Sequence, residues 1–179
     1  FSLNLWHKAV HQPHLPAPRH TSLYVDKELP TPPYDTHKET FKGKPMWQRK
    51  KTFGFDWKKN LPIPEELPEM EWPINYDKSM DLLRCLAAID ESLGAVLATL
   101  EEMGELDNTV IIYSSDNGYF MGEHTFLDKR LAYENSMRVP MLIRYPKLIK
   151  KNTKIKEQCL NIDLAPTILD LAGLEIPLY

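Results

Sequence analysis

Residues 110 to 124 read VIIYSSDNGYFMGEH, an apolar run that breaks into Ser-Asp-Asn-Gly and then a polar stretch ending in Gly-Glu-His. Asp116 brings carboxylate oxygens and Asn117 an amide oxygen, both hard donors suited to Ca2+ or Mg2+ and poorly suited to soft metals. Gly118 lets the backbone turn away from them. The same three residues are also a common turn sequence, so a tight turn and half of a metal site are both open readings. A second group lies near the start of the chain, where HKAVHQPHLPAPRH carries His11 and His14, each two residues before a proline. Imidazoles in such a loop can exchange protons near neutral pH.

Something must position these residues. Thr109 to Ser114 is rich in β-branched and aromatic residues and short enough for a buried strand. Phe1 to Trp6 alternates as a strand does, then empties into the histidine-bearing loop, where Pro13, Pro16 and Pro18 forbid regular structure. From Met80 to Met103, Leu82, Leu86, Ile89, Leu93, Val96, Leu97 and Leu100 recur at spacings of three and four, which predicts an amphipathic helix closed by Gly104. Val139 to Tyr145 reads as a further strand with a proline near its start. Asp163 to Ala172 reads as a last helix, with Asp163 as N-cap, Pro166 in the first turn and Gly173 as terminator. The order of elements predicts an α/β fold, a mostly parallel sheet covered by helices. Ligands of such sheets gather beyond the carboxyl ends of the strands, which places Asp116, Asn117 and His11 in one region. Residues 26–75 are rich in prolines and hold no regular period. They read as a long surface excursion, and Trp47, Phe53, Phe55, Trp57 and Trp72 favour packing over disorder there.

With 179 residues the chain can bury one substantial core. Its 42% hydrophobic and 26% charged content is that of an ordinary globular protein. No apolar run approaches the roughly 18 residues of a membrane-spanning helix. A net charge of −3 gives no bulk drive toward nucleic acid or an anionic membrane surface. Cys85 and Cys159 stand far apart without metal-ligand spacing, and Cys85 falls in the predicted helix as a buried thiol would.

The segment SSDNGYFMGEHTFLDKRLAYENSMRVPMLIRYP closely resembles the corresponding part of the sulfatase family, within the alkaline-phosphatase-like superfamily. NIDLAPTILDLAG resembles the segment that follows it there, and HKAVHQPHLPAPRH resembles the family's histidine loop. The three matches occur in family order. The resemblance implies that Asp116 and Asn117 are the second pair of ligands to one Ca2+, with Mg2+ the less suited ion. It implies that Lys129 contacts the substrate's sulfate and that His11 reaches the leaving-group oxygen, with His14 as the rival. His124 would line the substrate pocket or cap a turn. Such roles make chemical sense, because cations offset the charge of a sulfate ester and an imidazole can protonate a departing alkoxide. Without the resemblance, Lys129 reads as a solvated lysine beside Asp128. Arg138, before a strand, has two readings, a contact to a substrate carboxylate or sulfate and the commoner structural one, a partner of Glu134 at helical spacing.

The family's nucleophile is a formylglycine made within a Cys/Ser-x-Pro-x-Arg motif, and no Cys or Ser of this sequence has that setting. The early pair of acidic ligands is not found either. The chain therefore reads as the C-terminal part of a single sulfatase catalytic domain over residues 1–179, with the formylglycine upstream and no turnover expected from these residues by themselves. The implied partner is a sulfated small molecule or carbohydrate. The implied compartment is the periplasm, the cell exterior or the lysosome. Two rivals stand beside this. A metal-dependent phosphodiesterase or phosphonate hydrolase of the same superfamily would usually place His where Asn117 stands, for a softer metal. A noncatalytic module for sulfated glycans would use the basic and aromatic residues WQRKK and FDWKK, which otherwise form a solvated loop.

Overall fold

The computed structural model describes residues 1–29, 76–121, 123 and 127–177. The described residues fall into two compact units. One is formed by the described parts of 1–106 together with 117–139, and the other by 107–116 together with 140 onward. The proline-rich excursion predicted for 26–75 lies, from residue 30 on, outside the described residues.

In the first unit the long helix α1 spans Tyr76–Glu102. Much of the predicted stripe packs: Cys85 and Leu100 are buried and Ile89, Leu93, Val96 and Leu97 half-buried on one side, while Leu86, expected in that stripe, is exposed and Met80 is buried on another side of the helix. Gly104 ends it at φ +71°, a conformation open to glycine, with its amide on the Glu101 carbonyl at 2.9 Å. Burial pushes the Cys85 thiol above its ordinary pKa, with the Asp81 carboxylate adding to the effect, so this cysteine is a packed, protonated group. Residues 1–8 hold no regular secondary structure, and Phe1, Leu3 and Leu5, all exposed, line an open apolar groove together with Val96 and Leu100. They are not a strand of a ladder, contrary to the expectation for Phe1–Trp6, because no strand pairs with them among the described residues.

Two short strands complete this unit's local framework. β2 (Phe120–Met121) pairs antiparallel with β3 (Leu127–Asp128), Phe120 lying opposite Asp128. Phe120 is fully buried and meets Tyr133 edge to face at 5.8 Å, with Leu131 buried beside them. The single-turn helix α2 (Glu134–Met137) follows, and Arg138 faces Glu134 at 3.8 Å as the helical spacing predicts.

In the second unit β1 (Ile111–Ser114) pairs antiparallel with β4 (Met141–Arg144), Ile112 opposite Ile143. The parallel sheet expected from the element order is not seen among the described strands, which form two antiparallel pairs. β1 and β4 lie within the segments expected as strands, Thr109 to Ser114 and Val139 to Tyr145, whereas strand direction depends on partners far away in sequence. The last helix α3 (Leu164–Leu171) ends at Gly173, φ +68°. Asp163 does not cap it in the expected way: a turn of 3-10 helix (Asn161–Asp163) leads straight in, and the Asp163 carboxylate accepts the Leu160 amide at 2.7 Å instead.

Candidate functional site

The first unit brings the histidine loop to the turn that follows Asn117. Gln12 Nε2 donates to the Tyr119 hydroxyl at 3.0 Å, and the His14 ring meets the Tyr119 ring edge to face at 6.2 Å. Tyr119 lies two residues beyond Asn117, so the loop carrying both candidate histidines is fastened beside one of the two candidate metal ligands. The exposed ring of His11 is oriented locally: its Nδ1 donates to the Gln12 carbonyl at 2.9 Å, which fixes the proton on that nitrogen. His14 is half-buried against Tyr119.

The loop is also held from behind. His7 Nε2 and the Ser92 hydroxyl are 2.9 Å apart. At the far end of the loop, Glu91 on α1 accepts from Arg19 Nε at 2.8 Å through one oxygen and meets His20 Nε2 at 2.6 Å through the other. The Arg19 guanidinium and then the His20 hydrogen bond pull the Glu91 carboxyl down to about 2. His20 itself is buried, unlike most histidines of this loop. Arg84, one helical stretch earlier, reaches the Leu23 carbonyl at 3.0 Å and pairs with Asp81.

The turn after Asn117 is built around a glycine for a visible reason. Gly118 donates its amide to the Ser136 carbonyl at 2.8 Å, and a Cβ at this position would stand 2.1 Å from the Asn135 carbonyl oxygen. Asn117 Nδ2 donates to the Gly118 carbonyl at 2.7 Å, which settles which end of that amide is nitrogen and which is oxygen. Ser136, buried in α2, donates its hydroxyl to the Lys129 carbonyl. Lys129 is half-buried. The charge beside it, Asp128, faces Arg130 at 3.3 Å.

Asp116 closes a segment of the second unit. It is exposed, with Ser115 Oγ 3.4 Å from its Oδ1, and its carbonyl accepts from Asn161 Nδ2 at 3.2 Å. The same Asn161 amide holds the Ser115 carbonyl, so the backbone entering the Asp-Asn-Gly turn is fixed from Asn161. His124 lies outside the described residues. No group of three or more His, Cys, Asp or Glu that could hold a metal occurs among the described residues. The chemistry of Asp116 and Asn117 nevertheless fits a hard cation, as contributors of some of its six to eight oxygens. Reading the sequence gave no sign of Tyr119, Ser136 or Glu91. Tyr119 and Glu91 act through bonds to residues far off in the chain, and Ser136 through a turn that no local pattern marks.

The family model described as Sulfatase matches residues 9–174. The chain belongs to the sulfatase family. Among curated sulfatases it is 50% identical over 97 residues to the N-acetylglucosamine-6-O-sulfatase of Bacteroides thetaiotaomicron, covering 54% of this chain and 17% of that protein. It is 38% identical over 177 residues to the arylsulfatase of Volvox carteri, covering 93% of this chain and 24% of that protein. The chain therefore spans about a quarter or less of the length of either relative. Among solved structures, a protein in complex with its substrate D-glucosamine-2-N,6-O-disulfate superposes with a TM-score of 0.69 at 30% identity, covering 94% of this chain and 43% of that one. A phosphonate monoester hydrolase from Silicibacter pomeroyi, at 24% identity, has a TM-score of 0.66 over 94% of this chain and 33% of that one, which shows a shared fold. The alkaline-phosphatase-like fold expected from the sequence is thus the fold of this sulfatase chain's structural neighbours.

Proposed function

We propose that this chain is part of a calcium-dependent sulfatase that hydrolyses sulfate esters of carbohydrates. The single observation that carries the reading is the fastening of the histidine loop, by Gln12 and His14, onto Tyr119 beside Asn117. In this reading Asp116 and Asn117 hold Ca2+, which when bound offsets charge on the sulfate oxygens. Lys129 adds a second positive group against the sulfate, effective because an immobile cation at a developing charge needs no reorganisation. His11 stands at the leaving-group oxygen. With its Nδ1 proton committed to the Gln12 carbonyl, its Nε2 is the nitrogen that exchanges a proton with the departing alcohol. The nucleophile is a formylglycine carried outside these 179 residues, since no Cys or Ser here has the motif that is modified.

A carbohydrate substrate is supported by the relatives' names and by the glucosamine disulfate bound to the structural neighbour. A phosphonate or phosphate diester substrate is the second reading, favoured only by the shared fold. Asn117 weighs against it, because an amide oxygen suits a hard cation better than a transition metal.

The test is an assay of the full-length protein, matured in a host that forms formylglycine, on glucosamine 6-O-sulfate, an aryl sulfate and a phosphonate monoester. Sulfate release that a calcium chelator abolishes is the expected result, with the 179 residues alone inactive. Preferential turnover of the phosphonate would overturn the proposal.

A further inference from the structure

We propose that Ser136 is a positioning residue for the sulfate site, setting the place of Lys129 relative to Asn117 through a hydroxyl bond to the Lys129 carbonyl. The inference rests on the reading of Lys129 as the sulfate contact. Ser136 is 5% exposed and uses both of its polar ends on the segment in question. Its carbonyl takes the amide of Gly118, the residue after Asn117, and its hydroxyl holds the carbonyl of Lys129. One buried residue thus connects the two stretches that carry a candidate metal ligand and the candidate sulfate contact, the first through its main chain and the second through its side chain.

The connection has work to do. Asp128, just before Lys129, is in the left-handed region at φ +77°, a conformation that costs most side-chain-bearing residues energy and that aspartate tolerates better than most. The paired strands β2 and β3 fix Asp128 from one side, through its register with Phe120. The Ser136 hydroxyl fixes the next peptide from the other side. With that bond gone, the peptide after Lys129 is free to rotate and the ammonium at the end of a four-carbon stem shifts with it. By contrast the bond to Gly118 is main chain to main chain, so a change of the Ser136 side chain leaves the Asn117 turn tied in place. Ser136 therefore acts on Lys129 selectively.

The experiment is a double-mutant cycle on the calcium-loaded full-length protein, reading the affinity for inorganic sulfate by titration calorimetry and, in parallel, KM and kcat on a sulfate ester. Ser136→Ala should weaken sulfate binding about five- to tenfold, the effect of losing one hydrogen bond, with bound calcium unchanged. In a Lys129→Ala background the same substitution should have no further effect on sulfate affinity, because the two residues act as one. Ser136→Thr, which keeps the hydroxyl, should restore the affinity. Ser136→Cys, close in volume and a weak donor, carries the same test if the alanine variant fails to fold. An equal loss from Ser136→Ala with and without Lys129 would show a general structural role and overturn the proposal. An unaltered sulfate affinity in the single Lys129→Ala variant would overturn the reading of Lys129 itself, which the single variant reports separately from the coupling.

Discussion

His20 Nε2 and Glu91 Oε1 lie 2.6 Å apart, a contact that joins the end of the histidine loop to the middle of α1 across 71 positions of sequence. The other Glu91 oxygen is taken by Arg19, so one carboxylate closes the loop with two bases. The geometry explains why an exposed acid titrates so low: each hydrogen bond favours its charged form.

The linkage has a definite sign. Glu91 has its pKa lowered from an ordinary 4.5 to about 2 in the folded chain. Its contribution to stability is therefore complete above pH 4.5 and is lost as the pH falls from there toward 2. Thermal unfolding of Glu91→Gln and the parent, compared at steps of pH, should show a gap in midpoint at neutral pH that closes across that window. A gap that stays constant down to pH 2 would show that the charge of Glu91 is not what holds the loop.

Gly118→Ala should be among the most damaging small substitutions in the chain. Its new methyl would stand 2.1 Å from the Asn135 carbonyl oxygen and 3.2 Å from that of Arg138, and both obstacles are backbone that cannot rotate aside. Overpacking of this kind costs at least about 2 kcal/mol. The expected result is a lowered unfolding midpoint together with lost activity. Retention of both would mean that α2 can move away from the turn.

Much of this was legible in the residues and some of it could not be. Helix α1 and its glycine end follow from local rules, a spacing of three and four and a residue tolerant of positive φ, and both appear where expected. Strand β1 was equally local. The direction in which β1 pairs was not, since its partner β4 is some thirty residues on. Asp163 looked like a helix cap because capping rules count neighbours; a preceding 3-10 turn redirected its carboxylate to the Leu160 amide. In the candidate site, the donors Asp116 and Asn117 announced themselves by chemical type at a strand end. Tyr119, Ser136 and Glu91 did not, because an aromatic, a serine and a helix-surface glutamate are each unremarked in sequence until folding brings a partner, distant for Tyr119 and Glu91 and seven residues back for the Ser136 hydroxyl.

Asp116→Ala separates metal binding from folding. The side chain is exposed and the backbone there is held by Asn161, so removal should change the unfolding midpoint little. Calcium content of the purified full-length variant should fall sharply, because affinity at such sites depends on the number of charged ligands. Calcium measured by elemental analysis at the parent's level would remove Asp116 from the ligand set.

Lys129 and His11 should part company by leaving group. Lys129→Ala takes a positive charge from the sulfate, which every substrate shares, so aryl and sugar sulfates should slow by similar factors, of the order of a hundredfold if Lys129 matters as much as one oxyanion donor does elsewhere. His11→Ala removes a proton donor that only a poor leaving group needs. General acids of this kind contribute roughly a hundred- to ten-thousandfold, and an activated aryl oxide departs without help. The His11 variant should therefore lose most of its rate on a sugar sulfate and little on a nitrophenyl sulfate, with its fold unaffected because the ring is exposed. His14 offers the contrast. Its ring packs on Tyr119, so His14→Ala should loosen the loop and slow both substrates together. If instead it is His14→Ala that spares the aryl sulfate and slows the sugar sulfate, the proton donor is His14, and the His11 ring, turned to its own backbone by the Gln12 carbonyl, only shapes the loop.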